Sequence, residues 1–157
     1  MKKVLLIALA FLTLSAVNAN ADKLVNITHR VESNAIRIGQ FGGLTRYMKG
    51  YTVTLWVGTS SEKIGELSLG VDKYNRLWII NRTNKRLRIP FRYNVKNPRN
   101  GTAQARWKVV ILDPGEYEAP DLEFGQGESL DPNIKAICLT SYSDNTSPTP
   151  RKVSILE

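Results

Sequence analysis

Apolar and polar positions alternate with a period of two in short runs along most of the chain, the spacing that sends successive side chains to opposite faces of a strand. Runs at 24–28, 34–38, 51–57, 63–69, 76–82, 86–96, 103–112, 134–142 and 152–156 are predicted as strands. Turn-forming residues separate them at Gly42-Gly43, Asp72 to Asn75, Asn97 to Gly101 and Asp113-Pro114-Gly115. No run keeps a helical period over three turns, and 43–49 holds one short helical turn at most. Evenly spaced short strands without long helices predict an all-β fold. The preferred form is one antiparallel, immunoglobulin-like β-sandwich of seven to nine short strands, with topology left open because no Cys-Trp-Cys core is present.

The segment 86–112 predicts a hairpin whose register follows from its pattern. On its first strand Leu87, Ile89, Phe91, Tyr93 and Val95 share one face, opposite Arg86, Arg88, Arg92, Asn94 and Lys96. On its second, Ala105, Trp107, Val109 and Ile111 share one face, opposite Arg106 and Lys108. A two-residue Asn100-Gly101 loop would mix these faces, whereas a three-residue Arg99-Asn100-Gly101 loop keeps them matched. Tyr93 is then expected opposite Trp107, Phe91 opposite Val109 and Arg92 opposite Lys108. Pro90 places the first strand at an edge or a bulge. The expected core contains Trp56, Leu87, Phe91, Tyr93, Trp107, Val109, Ile111 and Leu139, with Trp78 joining it.

Length and composition turn this pattern into one domain with an address. Lys2 and Lys3, the 13 nearly all apolar residues Val4 to Ala16, and Ala19-Asn20-Ala21 have the order of a cleaved secretory signal. That apolar run is shorter than the roughly 20 residues a membrane-crossing helix needs. The expected division is a signal at 1–21 and a single β-sandwich domain at 22–157, secreted or periplasmic, with no transmembrane segment. The one cysteine, Cys138, rules out an internal disulfide and is expected as a small buried hydrophobe.

The chain carries 22 Lys and Arg against 14 Asp and Glu, and loss of Lys2 and Lys3 with the signal leaves a net of +6. The excess is unevenly placed. Between Lys73 and Leu112 there are 11 basic residues and no acid; between Asp113 and Asp144 there are eight acids and only Lys135 as a base. Three arrangements are compatible with this partition. The acidic segment folds across the basic hairpin, because like charges opposed on a sheet need relief. Alternatively Arg86, Arg88, Arg92, Arg106 and Lys108 form an open face for an anionic surface, an anionic polymer or an acidic protein. The third arrangement is head-to-tail self-association. Nucleic acid is not expected, because Phe91, Tyr93 and Trp107 fall on the apolar parity rather than among the basic residues where bases would stack.

Catalytic chemistry finds little to use. His29 is the only histidine, no nucleophile elbow or phosphate-cradling motif is present, and zinc sites need several Cys or His ligands. No metal and no cofactor are expected. Glu116, Glu118, Asp121 and Glu123 are the remaining candidates for a two-carboxylate glycan hydrolase or a loop calcium site, without the spacing that would define either. Leu112-Asp113-Pro114-Gly115-Glu116 predicts a type II turn after a strand, and it resembles corners of secreted immunoglobulin-like domains. The resemblance covers a few residues and carries no functional residue. Sequons begin at Asn26, Asn81, Asn100 and Asn145.

The expectation is therefore a non-enzymatic exported binding or structural protein of the bacterial cell envelope or exterior, contacting an anionic partner through the basic hairpin. The alternative is a secreted effector, toxin or protein inhibitor that acts on a host or competitor protein.

Overall fold

The computed structural model describes residues 23–57, 62–139 and 152–156. The expected signal at 1–21, the expected loop at 144–150 and the sequon at Asn145 lie outside them. The fold is all-β. Its strands are β1 (Lys23–Phe41), β2 (Leu44–Val57), β3 (Lys63–Asp72), β4 (Leu77–Thr83), β5 (Leu87–Lys96), β6 (Ala103–Leu112), β7 (Tyr117–Glu118), β8 (Ser129–Leu130), β9 (Cys138–Leu139) and β10 (Ser154–Ile155). All pairings between them are antiparallel. One sheet runs β6-β5-β10-β1, with β8 and β9 also paired to β5; the other runs β1-β2-β3-β4-β7, and β1 belongs to both. Among the described residues no helix is long and apolar enough to cross a membrane.

Among the described residues there are ten strands where seven to nine were expected, and two of them are long: β1 has 19 residues and β2 has 14. The runs at 24–28 and 34–38 are one strand, and 43–49 is the start of β2, not a helical turn. β1 hides its continuity because it slips register against β2 between Thr28 and Val31, Ser33 and Ile36, and Arg37 and Gly39. Each slip adds one residue to β1, reverses its inside-outside parity and bends the strand. His29 adopts a left-handed φ of 52° at the first of them. Of the run expected at 134–142, the described part holds a 3-10 turn at Ile134–Ala136, capped by the Asn133 side chain, and the two-residue β9, while 140–142 lie outside the described residues.

Two clusters of apolar side chains result. The larger joins both sheets: Tyr51, Leu55, Leu67 and Ile79 from one pack with Leu87, Phe91, Tyr93 and Leu112 from the other. Each such side chain contributes about 2 kcal/mol by leaving water. The smaller cluster gathers Ile36, Ile38 and Met48 of the β1–β2 hairpin with Trp78 and Ile80 of β4. Trp78 is therefore buried, but in this second cluster, on the face of β4 opposite Leu77 and Ile79.

The β5–β6 register differs by one residue from the matched-face expectation. Tyr93 pairs with Arg106, Phe91 with Lys108, and Arg92 with Trp107. The cause is the loop. A bond from Asn97 N to Thr102 O closes the ladder around four residues, 98–101, and Gly101 takes the left-handed φ of 65°. An even-numbered loop pairs odd positions with even ones. Leu87, Phe91 and Tyr93 stay in the core, and Leu139 packs half-buried against it. Trp107, Val109 and Ile111 instead face outward; Val109 is 42% and Ile111 46% exposed. Trp56 is only half-buried and donates its indole N–H to Thr28 Oγ1 at 2.6 Å.

Asn81 binds the end of β6 to β4. It is fully buried, and its Nδ2 donates to the carbonyls of Lys85, Leu112 and Asp113 at 2.8, 3.0 and 3.1 Å. Its Oδ1 accepts from Thr83 N and Thr83 Oγ1, while its own backbone bonds Glu116 O and Gly115 N. The Asp113–Glu116 turn that it holds has Gly115 at φ 78° and a bond from Glu116 N to Asp113 O, as expected of type II. Burial also removes Asn81 from use as a sequon. Asn81→Asp keeps the shape but sets an oxygen against three carbonyls, and it is expected to cost about 3 kcal/mol or more. Asn100→Asp, on an exposed loop, is expected to stay within about 0.5 kcal/mol of wild type. Urea unfolding of the two variants decides; equal midpoints would remove Asn81 from this role.

Candidate functional site

The outward register separates the five basic residues singled out in the hairpin. Arg88 and Arg92 point from β5 to the outer face, beside their cross-strand partners Ile111 and Trp107. Arg106 and Lys108 share the opposite face with Tyr93 and Phe91, and Arg86 lies just before β5. The expected Arg92–Lys108 opposition does not occur.

Acids of the following segment meet three bases of the hairpin. Arg86 Nε lies 3.2 Å from Asp113 Oδ1, and Lys96 Nζ lies 3.4 Å from Asp131 Oδ1. Arg106 is held most fully: Nη2 contacts both oxygens of Glu128 at 2.9 and 3.0 Å, and Nη1 donates to the Glu123 carbonyl at 2.6 Å. Side-chain exposures of 25% and 13% shield this Arg106–Glu128 pair from water, unlike the Arg86–Asp113 pair at 56% and 63%. Exposed pairs of the latter kind contribute about 0–1 kcal/mol. The acidic segment thus covers part of the basic hairpin, Arg106 above all.

The Arg88 side chain makes no hydrogen bond or ion pair among the described residues. Arg92 donates from Nη2 to Cys138 Sγ at 3.3 Å, and its buried Nε has no hydrogen-bond partner among the described residues. Cys138 is half-buried rather than part of the core. Trp107 lies opposite Arg92 on the outer face, so the parity argument against base stacking holds for Phe91 and Tyr93 but fails for Trp107. Glu116, Glu118, Asp121 and Glu123 are all exposed, and among the described residues no three Asp, Glu, His or Cys groups converge as metal ligands.

A second feature was not foreseen from the sequence. The bent tip of the β1–β2 hairpin stands against the β3–β4 turn and leaves a cleft of about 460 Å³ lined by Phe41, Leu44, Arg46, Tyr47, Lys73 and Tyr74, among others. Its floor is rigid. Phe41 packs on Trp78 and Tyr117 with ring centroids 5.4 and 5.8 Å away. Asp72 Oδ1 accepts from Tyr74 N and Arg76 N, and Oδ2 accepts from the buried Trp78 indole at 2.8 Å. Asn75, at a left-handed φ of 61°, donates to Leu130 O. The available signals were the Gly42-Gly43 and Asp72 to Asn75 turns, each flanked by aromatic and basic residues; the hairpin's curvature, which brings them together, left no such trace.

Comparison with protein-family models, curated proteins and solved structures finds no match for this chain.

The Arg106–Glu128 contact generates a pH prediction. Hydrogen bonds from Arg106 and from the Gly125 N–H hold the Glu128 carboxyl below its ordinary value near 4.5. A lowered folded value means the ionised carboxylate stabilises the fold. This contribution is complete above about pH 4.5 and disappears as the pH falls through the lowered value. Thermal unfolding of Glu128→Gln should therefore lie below wild type near neutral pH and converge with it in acid. Curves that stay parallel below pH 4.5 would contradict the assignment.

Proposed function

We propose that this is a non-enzymatic exported binding or structural protein of the bacterial cell envelope or exterior that contacts an anionic partner. The observation that carries the reading is Arg88. It lies on the outer face of β5, next to exposed Ile111, and makes no ion pair among the described residues. Half-buried Arg92 shares this face, and the exposed Arg86 lies just before β5, where Asp113 already pairs with it. Arg106 belongs to the fold instead, since Glu128 already occupies it. The core shared by two antiparallel sheets supports the sandwich part of the immunoglobulin-like expectation. The reading of residues 1–21 as a cleaved signal supports export.

The alternative, a secreted effector, toxin or protein inhibitor, draws on a different observation. β6 ends its sheet among the described residues, and it presents Val109 and Ile111 outward. An edge strand of this kind can accept an added strand from a protein partner. Cell fractionation separates the two readings: retention in periplasm or envelope supports the first, release into the medium the second.

Retention on an anionic matrix tests the surface itself. Binding through the half-buried Arg88 and its neighbours should fall as salt shortens the screening distance toward about 8 Å. Arg88→Glu should reduce retention strongly and leave the melting temperature nearly unchanged, while Lys108→Glu, on the opposite face, should reduce it less. Equal loss in both variants, or retention insensitive to salt, would refute a specific outer face.

A further inference from the structure

We propose that the cleft between the β1–β2 hairpin tip and the β3–β4 turn binds a carboxylate-bearing sugar of an acidic glycan chain. This site is separate from the outer face of β5 and does not rest on it. Its centre is Arg46. The guanidinium carbon lies 4.8 Å from the Phe41 ring centroid and 5.3 Å from that of Tyr74. Two rings thus hold the cation in place, yet its N–H groups make no hydrogen bond among the described residues. A guanidinium fixed by ring contacts with its donors unspent is arranged to accept a carboxylate in a two-point fork.

The charge of the cleft is net positive, with Arg46 and Lys73 in its lining against the single acid Asp72. Lys73 Nζ stands 5.1 Å from the Tyr74 ring centroid. The nearest acid, Asp72, is nearly buried and spends its oxygens on Tyr74 N, Arg76 N and the Trp78 indole, and it forms no ion pair among the described residues. An incoming anion therefore meets Arg46 and Lys73 without competition from that carboxylate.

The walls specify more than an anion. Tyr47 and Tyr74 are 53% and 62% exposed, and Leu44 is 73% exposed. A tyrosine offers an apolar ring face with a polar rim, which suits a pyranose that has the same two-part surface. The volume of about 460 Å³ lies within the ordinary range of ligand sites. A shallower cleft of about 330 Å³ shares Tyr47, Asp72 and Lys73 and continues toward Lys49 and Pro132. Tyr47, Asp72 and Lys73 border both clefts, so a chain of several units has surface to follow beyond its first sugar. Arg46, half-buried inside a cleft, also fits a projecting sugar better than a flat lipid surface. Because Phe41, Asp72 and Asn75 are all held by contacts outside the cleft, little ordering is left to binding.

Calorimetric titration of the full chain with oligosaccharides of polygalacturonate, alginate and hyaluronan tests this, with methyl-esterified polygalacturonate as the uncharged control. Binding to at least one acidic oligomer is expected, and esterification should weaken binding to polygalacturonate where that is the oligomer bound. Arg46→Gln and Tyr74→Ala should each weaken binding about tenfold or more, as expected on losing a charge-assisted hydrogen bond or a stacking surface. Arg46→Lys should weaken it too, because the charge remains but the fork and the ring contacts are lost. Arg88→Glu should leave the Arg46-dependent part of the binding unchanged, so this site and the β5 face fail separately. Melting curves confirm that each variant is folded; Tyr47→Ala, outside the Phe41–Arg46–Tyr74 stack, serves if Tyr74→Ala is not. The proposal is overturned if none of the three acidic oligomers binds, if the ester binds as well as polygalacturonate, or if Arg46→Gln has no effect. It is equally overturned if phosphatidylglycerol vesicles or inorganic phosphate alone bind in an Arg46-dependent way while the glycans do not.

Discussion

The fold depends on how one buried amide, Asn81, closes β4 onto the end of β6. A fully buried amide in an apolar core is costly unless every polar atom is matched, and here the Nδ2 group, the Oδ1 atom and both backbone groups have partners. These bonds fix the carbonyls of Leu112 and Asp113, so the end of β6 cannot slide along β5 without emptying them. The four-residue loop 98–101 fixes the other end of the same hairpin. The β5–β6 register is thus pinned at both ends. The Asp113–Glu116 turn that Asn81 holds then delivers Tyr117 to β4, where its ring packs on Phe41 and Trp78.

That double pinning explains what could and could not be read from the chain. The alternation of β5 was legible: Leu87, Ile89, Phe91, Tyr93 and Val95 are all buried. The β6 bounds were legible as well, and so was the turn at Asp113–Glu116. The pairing of the two strands was not, because the apolar residues of the two strands do not all serve one core. β6 carries apolar side chains on its outer face instead, so parity could not choose between loop lengths. β1 failed for another reason. A bulge reverses parity without leaving a turn residue behind, so three of them made one 19-residue strand resemble two short ones.

The charge partition was legible as an anomaly, and its resolution is mixed. Arg86, Lys96 and Arg106 of the hairpin meet Asp113, Asp131 and Glu128 of the acidic segment. Only the last pair combines low exposure with several converging hydrogen bonds, which is the circumstance in which an ion pair positions a loop rather than merely reducing repulsion. Neutralisation also stops short of β5's outer face. Arg88 keeps its charge without an ionic partner among the described residues, because its face points away from the loop that supplies Glu128.

The bulges of β1 connect these threads. A flat β1–β2 hairpin would carry Arg46 and Tyr47 straight past the end of β4. With three extra residues on β1, the hairpin curls until Ile36, Ile38 and Met48 pack on Trp78 and Ile80. That second apolar cluster stabilises the curl, and the curl brings Phe41 and Arg46 against the Asp72–Arg76 turn. The residues of the cleft are therefore distant in sequence and unremarkable one by one. They meet because of curvature, the property that a period-two pattern does not encode. The same irregularities that hid the strand from its sequence built the concave surface where Arg46 stands with its donors unspent.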